Sequence, residues 1–162
     1  MVRNASQNDR LNIGNIYCHS WKEAYKNIMP YAFLDSLTPE KSAPPHDISE
    51  KDNLLYEENG EVVGLVNFGK ARNTSSDEKT GEIRSIYVLP KYWRRGIGRE
   101  LFFAAAEKLK SDGYEEFCLW VLKDNMRARL FYRRMGMTPA GEERMINLAG
   151  TELSEIKYKF TF

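Results

Sequence analysis

The sequence predicts a single mixed α/β domain of six to seven strands flanked by about four helices. Three observations carry that prediction. Short apolar, β-branched runs, residues 83–88 and Glu116–Leu122 among them, alternate with helical periodicities. Two pairs of strand-like runs meet at Asn59-Gly60 and Ala149-Gly150, so part of the sheet pairs as hairpins. The stretch EIRSIYVLPKYWRRGIGREL, residues 82–101, reads as a strand, a glycine-bearing loop and the start of a helix.

Along the chain, residues 2–5 read as a first strand. Ser6 followed by Asp9 reads as a helix N-cap with an acidic first turn. The helix behind it carries Ile13, Ile16, Tyr17, Ser20, Trp21 and Ala24 at three- and four-residue spacing, an apolar stripe. Pro30 breaks this helix, and residues 31–37 read as a second, short one. Residues 38–53, with Pro44-Pro45 at their centre, read as a surface loop, the other reading being a segment ordered by substrate. Residues 54–57 and 61–68 are strands, and the polar residues 69–81 read as mobile. Pro90 stops the strand at 83–88, and Lys91 opens a basic loop that ends at Gly98. A helix expected from Arg99 stops at Gly113. Residues 116–122 form a buried strand, 125–134 a short helix ended by Gly136, and 137–148 with 152–160 a closing strand pair. In the bland reading of that short helix, Leu130 and Phe131 face the core while Arg127, Arg129, Arg133 and Arg134 are merely solvated. No repeat or linker divides the chain, so residues 1–162 are expected to form one domain.

Charge and composition exclude several classes. Lys and Arg total 24 against 23 Asp and Glu, leaving a formal charge of +1, so no bulk field invites nucleic acid. No signal peptide or apolar run of membrane-spanning length is visible, and a cytoplasmic protein is expected. Cys18 and Cys118 are expected to be buried free thiols. His19 and His46 are isolated, with no metal-site spacing.

The loop after residues 83–88 has chemistry of its own. Gly96 and Gly98 let backbone N–H groups approach a ligand without an intervening Cβ. The free amides and positive dipole end of the following helix favour an anion. Arg94, Arg95 and Arg99 add charge, and together these groups describe a pyrophosphate cradle. Taken alone, Gly-Ile-Gly is equally a plain strand-to-helix connector. It is neither a Walker A loop nor a dinucleotide fingerprint, because the Gly-Lys-Ser/Thr and the third glycine are missing.

Residues Trp93-Arg94-Arg95-Gly96-Ile97-Gly98 resemble motif A of the GNAT N-acetyltransferase superfamily, Arg/Gln-x-x-Gly-x-Gly/Ala, departing only at Trp93. Asn125, Arg127, Ala128, Phe131, Tyr132 and Gly136-Met137 resemble its motif B, Asn-x-Arg-Ala-x-x-Phe-Tyr-x-x-x-Gly-Phe, departing only at Met137. The segment SWKEAYKNIMPYAFLDSL, residues 20–37, is similar to the opening of one bacterial subgroup. With the closing ELSEIKY strand, the resemblance spans nearly the whole chain.

The resemblance implies a splayed, mostly antiparallel mixed sheet that opens between the strands ending near Val88 and Leu122. The pantetheine arm of acetyl-CoA would lie in the gap, pairing with backbone at Ile86 and Val88 on either side of Tyr87. Its pyrophosphate would sit on Arg94, Arg95, Gly96, Ile97, Gly98 and Arg99. Asn125 and Phe131 would flank the arm, with Arg127 and Arg134 near the nucleotide phosphates. The implied reaction is direct acetyl transfer to a primary amine of a small molecule, protein or peptide. Val88 N–H would hold the oxyanion and Tyr132 would serve the departing thiolate. Glu82, fourteen residues before Gly96, is the implied base through water; a water chain alone, or a strand-edge carboxylate paired with Arg84 or solvent, are the other readings. Trp21, Tyr25, Tyr31 and Tyr87 are either acceptor-pocket walls or core. The expected partners are acetyl-CoA and an amine acceptor, without nucleic acid or membrane, on a monomer or homodimer. Two rival readings are a non-catalytic CoA sensor and a basic nucleic-acid binder. Tyr132, Asn125 and both glycines argue against the first, and the neutral charge argues against the second.

Overall fold

The computed structural model describes residues 1–72 and 79–162. The strands are β1 (Val2–Asn4), β2 (Asn53–Glu58), β3 (Glu61–Lys70), β4 (Thr80–Val88), β5 (Glu116–Leu122), β6 (Thr138–Leu148) and β7 (Thr151–Thr161). The helices are α1 (Arg10–Ala24), α2 (Tyr31–Asp35), α3 (Pro39–Ser42), α4 (Ile97–Ser111) and α5 (Met126–Arg134). Single 3-10 turns precede α1 and α4, at Gln7–Asp9 and Pro90–Tyr92. All seven strands join one mixed sheet in the order β1-β2-β3-β4-β5-β7-β6.

One break in this sheet positions everything that follows. β4 and β5 run parallel and pair only at Thr80–Glu116, Gly81–Phe117 and Glu82–Cys118. Beyond Glu82, β4 stays on β3 as far as Val88, while β5 stays on β7 as far as Leu122. The two strands therefore diverge. Backbone groups of an antiparallel strand face alternately toward and away from the partner. Leu89 N–H donates to Val63 O at 2.8 Å, so Ile86 and Val88 turn theirs away from β3, into the opening.

α4 covers one face of the sheet through Ile97, Leu101, Phe102, Ala105, Ala106 and Leu109, buried at helical spacing. Phe102 meets Phe117, Phe131 and Phe160 edge-on or tilted, at 5.6–6.3 Å between centroids. A smaller apolar cluster on Tyr25, Met29, Leu34 and Leu122 takes in Trp21 and Phe33, and ties α1 and α2 to Ile146, Leu148 and Leu153.

The elements follow the expected order, with corrections at their edges. α1 ends at Ala24, ahead of Pro30. α4 begins at Ile97 because Gly96, at φ 85°, serves as its N-cap. Residues 69–81, expected to be mobile, give their first two residues to β3 and their last two to β4, and 73–78 lie outside the described residues. The expected loop at 38–53 contains α3. Thr38 accepts a hydrogen bond from Lys41 N–H, and Pro39 fits the first helical position. α3 also lies unusually close to α1. A Cβ on Gly14 would sit 2.1 Å from Pro39 O, so only glycine admits this packing. Cys18 and Cys118 are free and buried. Among the described residues no helix is long and apolar enough to cross a membrane.

Candidate active site

The loop that leads from β4 into α4 turns through two left-handed residues, Arg94 at φ 62° and Gly96 at φ 85°. Glu100 N–H is the first amide of α4 to find its helical carbonyl, that of Gly96. Among the described residues, the amides of Arg94 through Arg99 have no acceptor. Six consecutive free N–H groups at the positive end of a helix make a site for an anion.

The side chains around this cradle differ in how free they are. Arg94 and Arg99 are exposed, and Arg99 lies over the Phe103 ring at 5.4 Å. Arg95, expected on the pyrophosphate, instead pairs with Glu58 at 3.0 Å and lies over Tyr92. Ile97 is buried in the core, so only its backbone can face a ligand. An added Cβ on Gly98 would meet Phe131 at 3.5 Å, an ordinary contact.

Trp93, the departure from motif A, ties the loop to β4 and to α5. Its indole N–H donates to Val88 O at 2.7 Å. The Arg127 guanidinium lies 3.4 Å above the Trp93 ring, where burial, with Arg94 nearby, lowers its pKa. Arg127 is thus held by an aromatic partner, and Arg134 stands exposed at the end of α5. Asn125 caps α5, its Oδ1 accepting from Ala128 N–H at 3.2 Å, which leaves its NH2 group for a ligand.

Tyr132 is buried on α5, with Phe131 at 5.3 Å and no hydrogen bond from its phenol among the described residues. Burial, reinforced by Tyr25, raises its pKa above the ordinary tyrosine value. On the α1 side, Tyr25 and Tyr87 share a hydroxyl hydrogen bond at 3.2 Å, and Tyr17 and Ser85 share one at 2.8 Å. The Tyr17 and Tyr87 rings meet edge-on at 5.1 Å, and Trp21 packs on Tyr25 at 5.2 Å. Tyr31 stands apart at 80% exposure; Phe33, 6.5 Å from Trp21, takes the inward place expected of it. Tyr17 was legible only as part of the apolar stripe. Its spacing, one helical turn before Trp21 and two before Tyr25, was the signal that groups it with them.

Glu82 is 2% exposed and faces Arg72. One of its oxygens accepts from the Arg72 backbone N–H at 2.8 Å and Nε at 3.2 Å, the other from Nη2 at 2.9 Å. The alternative partner, Arg84, is occupied elsewhere, donating to the carbonyls of Phe68 and Lys70.

The phenols set an alkaline limit on stability. Burial raises the pKa of Tyr17, Tyr25, Tyr87 and Tyr132 above the unfolded value of about 10. A raised folded pKa contributes stability that is complete below pH 10. That stability is lost as the pH climbs through the folded values, by up to about 1.4 kcal/mol per unit and phenol. The buried Cys18 and Cys118 thiols, raised by burial, start the fall in melting temperature near pH 9, and a steeper fall is expected above 10, shallower there in Tyr132→Phe.

A splayed sheet, an amide-lined helix start at the mouth of the opening and a buried phenol beside it define a class of acyl-CoA-dependent transferases. The model of the Acetyltransferase (GNAT) family matches residues 13–137, and the chain belongs to that family. It is 28% identical over 157 residues to the uncharacterized N-acetyltransferase YuaI of Bacillus subtilis, spanning 96% of this chain and 89% of that one. The PaiA N-acetyltransferase from Thermoplasma acidophilum, solved with coenzyme A, shares the fold at a TM-score of 0.71 and 18% identity, over 100% and 98% of the two chains. So does yncA from Salmonella typhimurium, solved with acetyl-CoA, at 0.71 and 20%, over 99% and 92%.

Proposed function

We propose that this protein transfers an acetyl group directly from acetyl-CoA to a primary amine. The observation that carries the reading is the divergence of β4 from β5 beyond Glu82 and Cys118. It opens a strand edge at Ile86 and Val88 that no neighbouring strand covers, although Val88 O already accepts from Trp93 Nε1 and Ser20 Oγ, with free amides at one end and the Tyr132 phenol on its flank. Acetyl-CoA, which neighbours of this fold carry, supplies an activated thioester. An extended arm can pair with that edge as an added strand. The amides of residues 94–99 hold the pyrophosphate, and Gly96 and Gly98 keep the approach clear. Val88 N–H, turned into the opening, is the donor for the developing oxyanion.

Tyr132 keeps its proton across the working pH range. A thiol near 8.5 against a phenol above 10 makes complete proton transfer uphill, so the phenol acts as a hydrogen-bond donor to the leaving sulfur. The amine enters neutral, its proton passing through water to bulk solvent, and the Tyr17, Tyr25 and Tyr87 phenols stay protonated beside it. Glu82 is assigned to holding Arg72, because both its oxygens are engaged there. Glu82→Gln should therefore leave the acidic limb of the pH–rate profile in place. Loss of that limb would return the base role to Glu82.

The test of the function is a panel of primary amines with acetyl-CoA, followed by release of free thiol. Binding of acetyl-CoA without turnover of any amine would favour a sensor of the cofactor over an enzyme.

A further inference from the structure

Arg127 stands where local chemistry argues against a cation. It lies in the first turn of α5, at the positive end of the helix dipole, and no acidic residue accompanies it there. Burial and the nearby charge of Arg94 both act against its charged form. Among the described residues it donates no hydrogen bond and joins no ion pair. Glu23, a carboxylate near enough to favour its charge, is bound by Lys26 at 2.7 Å. A residue that breaks a local rule with no compensating contact marks a functional position.

What holds Arg127 is an uncharged ring. Its guanidinium carbon lies 3.4 Å from the Trp93 centroid, and at that separation the flat group rests on the face of the ring. The N–H donors of a guanidinium point outward in its own plane, so a face-on stack leaves them free. The ring itself is pinned. Its N–H donates to Val88 O at 2.7 Å, and Ser20 Oγ, on α1, donates to the same carbonyl at 3.2 Å. Val88 ends β4, and Arg94 follows Trp93 in the chain. The stack therefore adjoins both the open strand edge and the first of the free amides of residues 94–99. A planar fork of unspent donors beside an amide-lined anion site suits phosphate oxygens.

We infer that Trp93 is a positioning residue, which holds Arg127 in place as a donor to the pyrophosphate of a CoA cosubstrate. Stacking orders a long side chain before the ligand arrives, so less conformational freedom is lost on binding. Trp93 thus acts on the ligand through Arg127 and needs no charge of its own. This rests on the acetyl-CoA reading above, and its test separates the two. Isothermal titration follows CoA and dephospho-CoA, which keeps the pyrophosphate and lacks the 3′-phosphate. The wild type should bind both. A wild type that does not bind CoA overturns the cosubstrate reading and this inference with it.

Arg127→Met should weaken both ligands on the order of tenfold, the change expected for losing one charge-assisted contact. Trp93→Leu should weaken both about fivefold, the worth of an exposed cation–π contact. In the Arg127→Met background, Trp93→Leu should add less than about twofold, because its effect passes through Arg127. Losses that add in full, or wild-type affinity in either single variant, overturn the inference with the cosubstrate reading intact. A loss confined to CoA does so as well, since it would put Arg127 on the 3′-phosphate. Arg127→Lys keeps the charge, gives up the planar stack and leaves Trp93 untouched, so it decides the point even where Trp93→Leu does not fold. It should bind both ligands several-fold more weakly, and wild-type affinity in it overturns the inference.

Discussion

Replacing Tyr132 with Phe is expected to lower kcat about 10²–10³-fold, the range typical of removing one hydrogen-bond donor to developing charge, with acetyl-CoA affinity nearly unchanged. The substitution removes only a hydroxyl. The Tyr132 ring stays against Phe131, and the backbone carbonyl that receives Met135 and Met137 N–H is untouched, so α5 keeps its fold. The phenol has no hydrogen bond to lose among the described residues, so its removal leaves no protein group unsatisfied. What disappears is a phenol proton that burial of the side chain keeps on the oxygen. Single-turnover and steady-state rates with a cognate amine, together with calorimetry of acetyl-CoA binding, check the expectation. A variant that turns over at the wild-type rate would make Tyr132 a packing residue only.

Gly96→Val is expected to abolish measurable acetyl-CoA binding while leaving the domain folded. The reason is the backbone. At φ 85°, Gly96 occupies a region that a β-branched residue enters at a cost of about 1–2 kcal/mol or more. An added Cβ there meets no atom within 4 Å, so strain, and not collision, is the cause. The chain can relieve that strain by moving the turn that presents the amides of residues 94–99, which spoils the cradle. Gly98 is different, having an ordinary backbone and Phe131 at 3.5 Å from a Cβ. Gly98→Ala should therefore bind acetyl-CoA far better than Gly96→Val. Isothermal titration of both variants decides it, and wild-type affinity in Gly96→Val would remove the anion site from this loop.

Much of the site was legible because it is local. The glycines, the arginines and the helix start lie within one strand–loop–helix of the chain, and Asn125, Phe131 and Tyr132 within one short helix. Period and turn chemistry act over three or four residues, and they carried these elements to within three residues of their ends. The edges missed were those set by other elements. α3 exists within an expected loop because Gly14, some 25 residues earlier, leaves room for Pro39. Tyr31 obeyed its helix yet ended in solvent, because the face of α2 packed on Trp21 is the one bearing Phe33.

By itself the sequence determined the order of elements, the glycine-lined turn before α4 and the placement of a tyrosine on the helix after β5. Only the tertiary structure decided the partners. Glu82 meets Arg72 and not the nearer Arg84, because a register shift between Asn67 and Phe68 leaves Arg84 without a cross-strand partner and on the carbonyls of β3. Tyr17 reaches Ser85 across 68 residues, and Trp93 bridges Val88 and Arg127. Periodicity fixes which face a side chain takes. What waits on that face is fixed by strand register and helix docking, which sum weak contacts over the whole chain and leave no local trace.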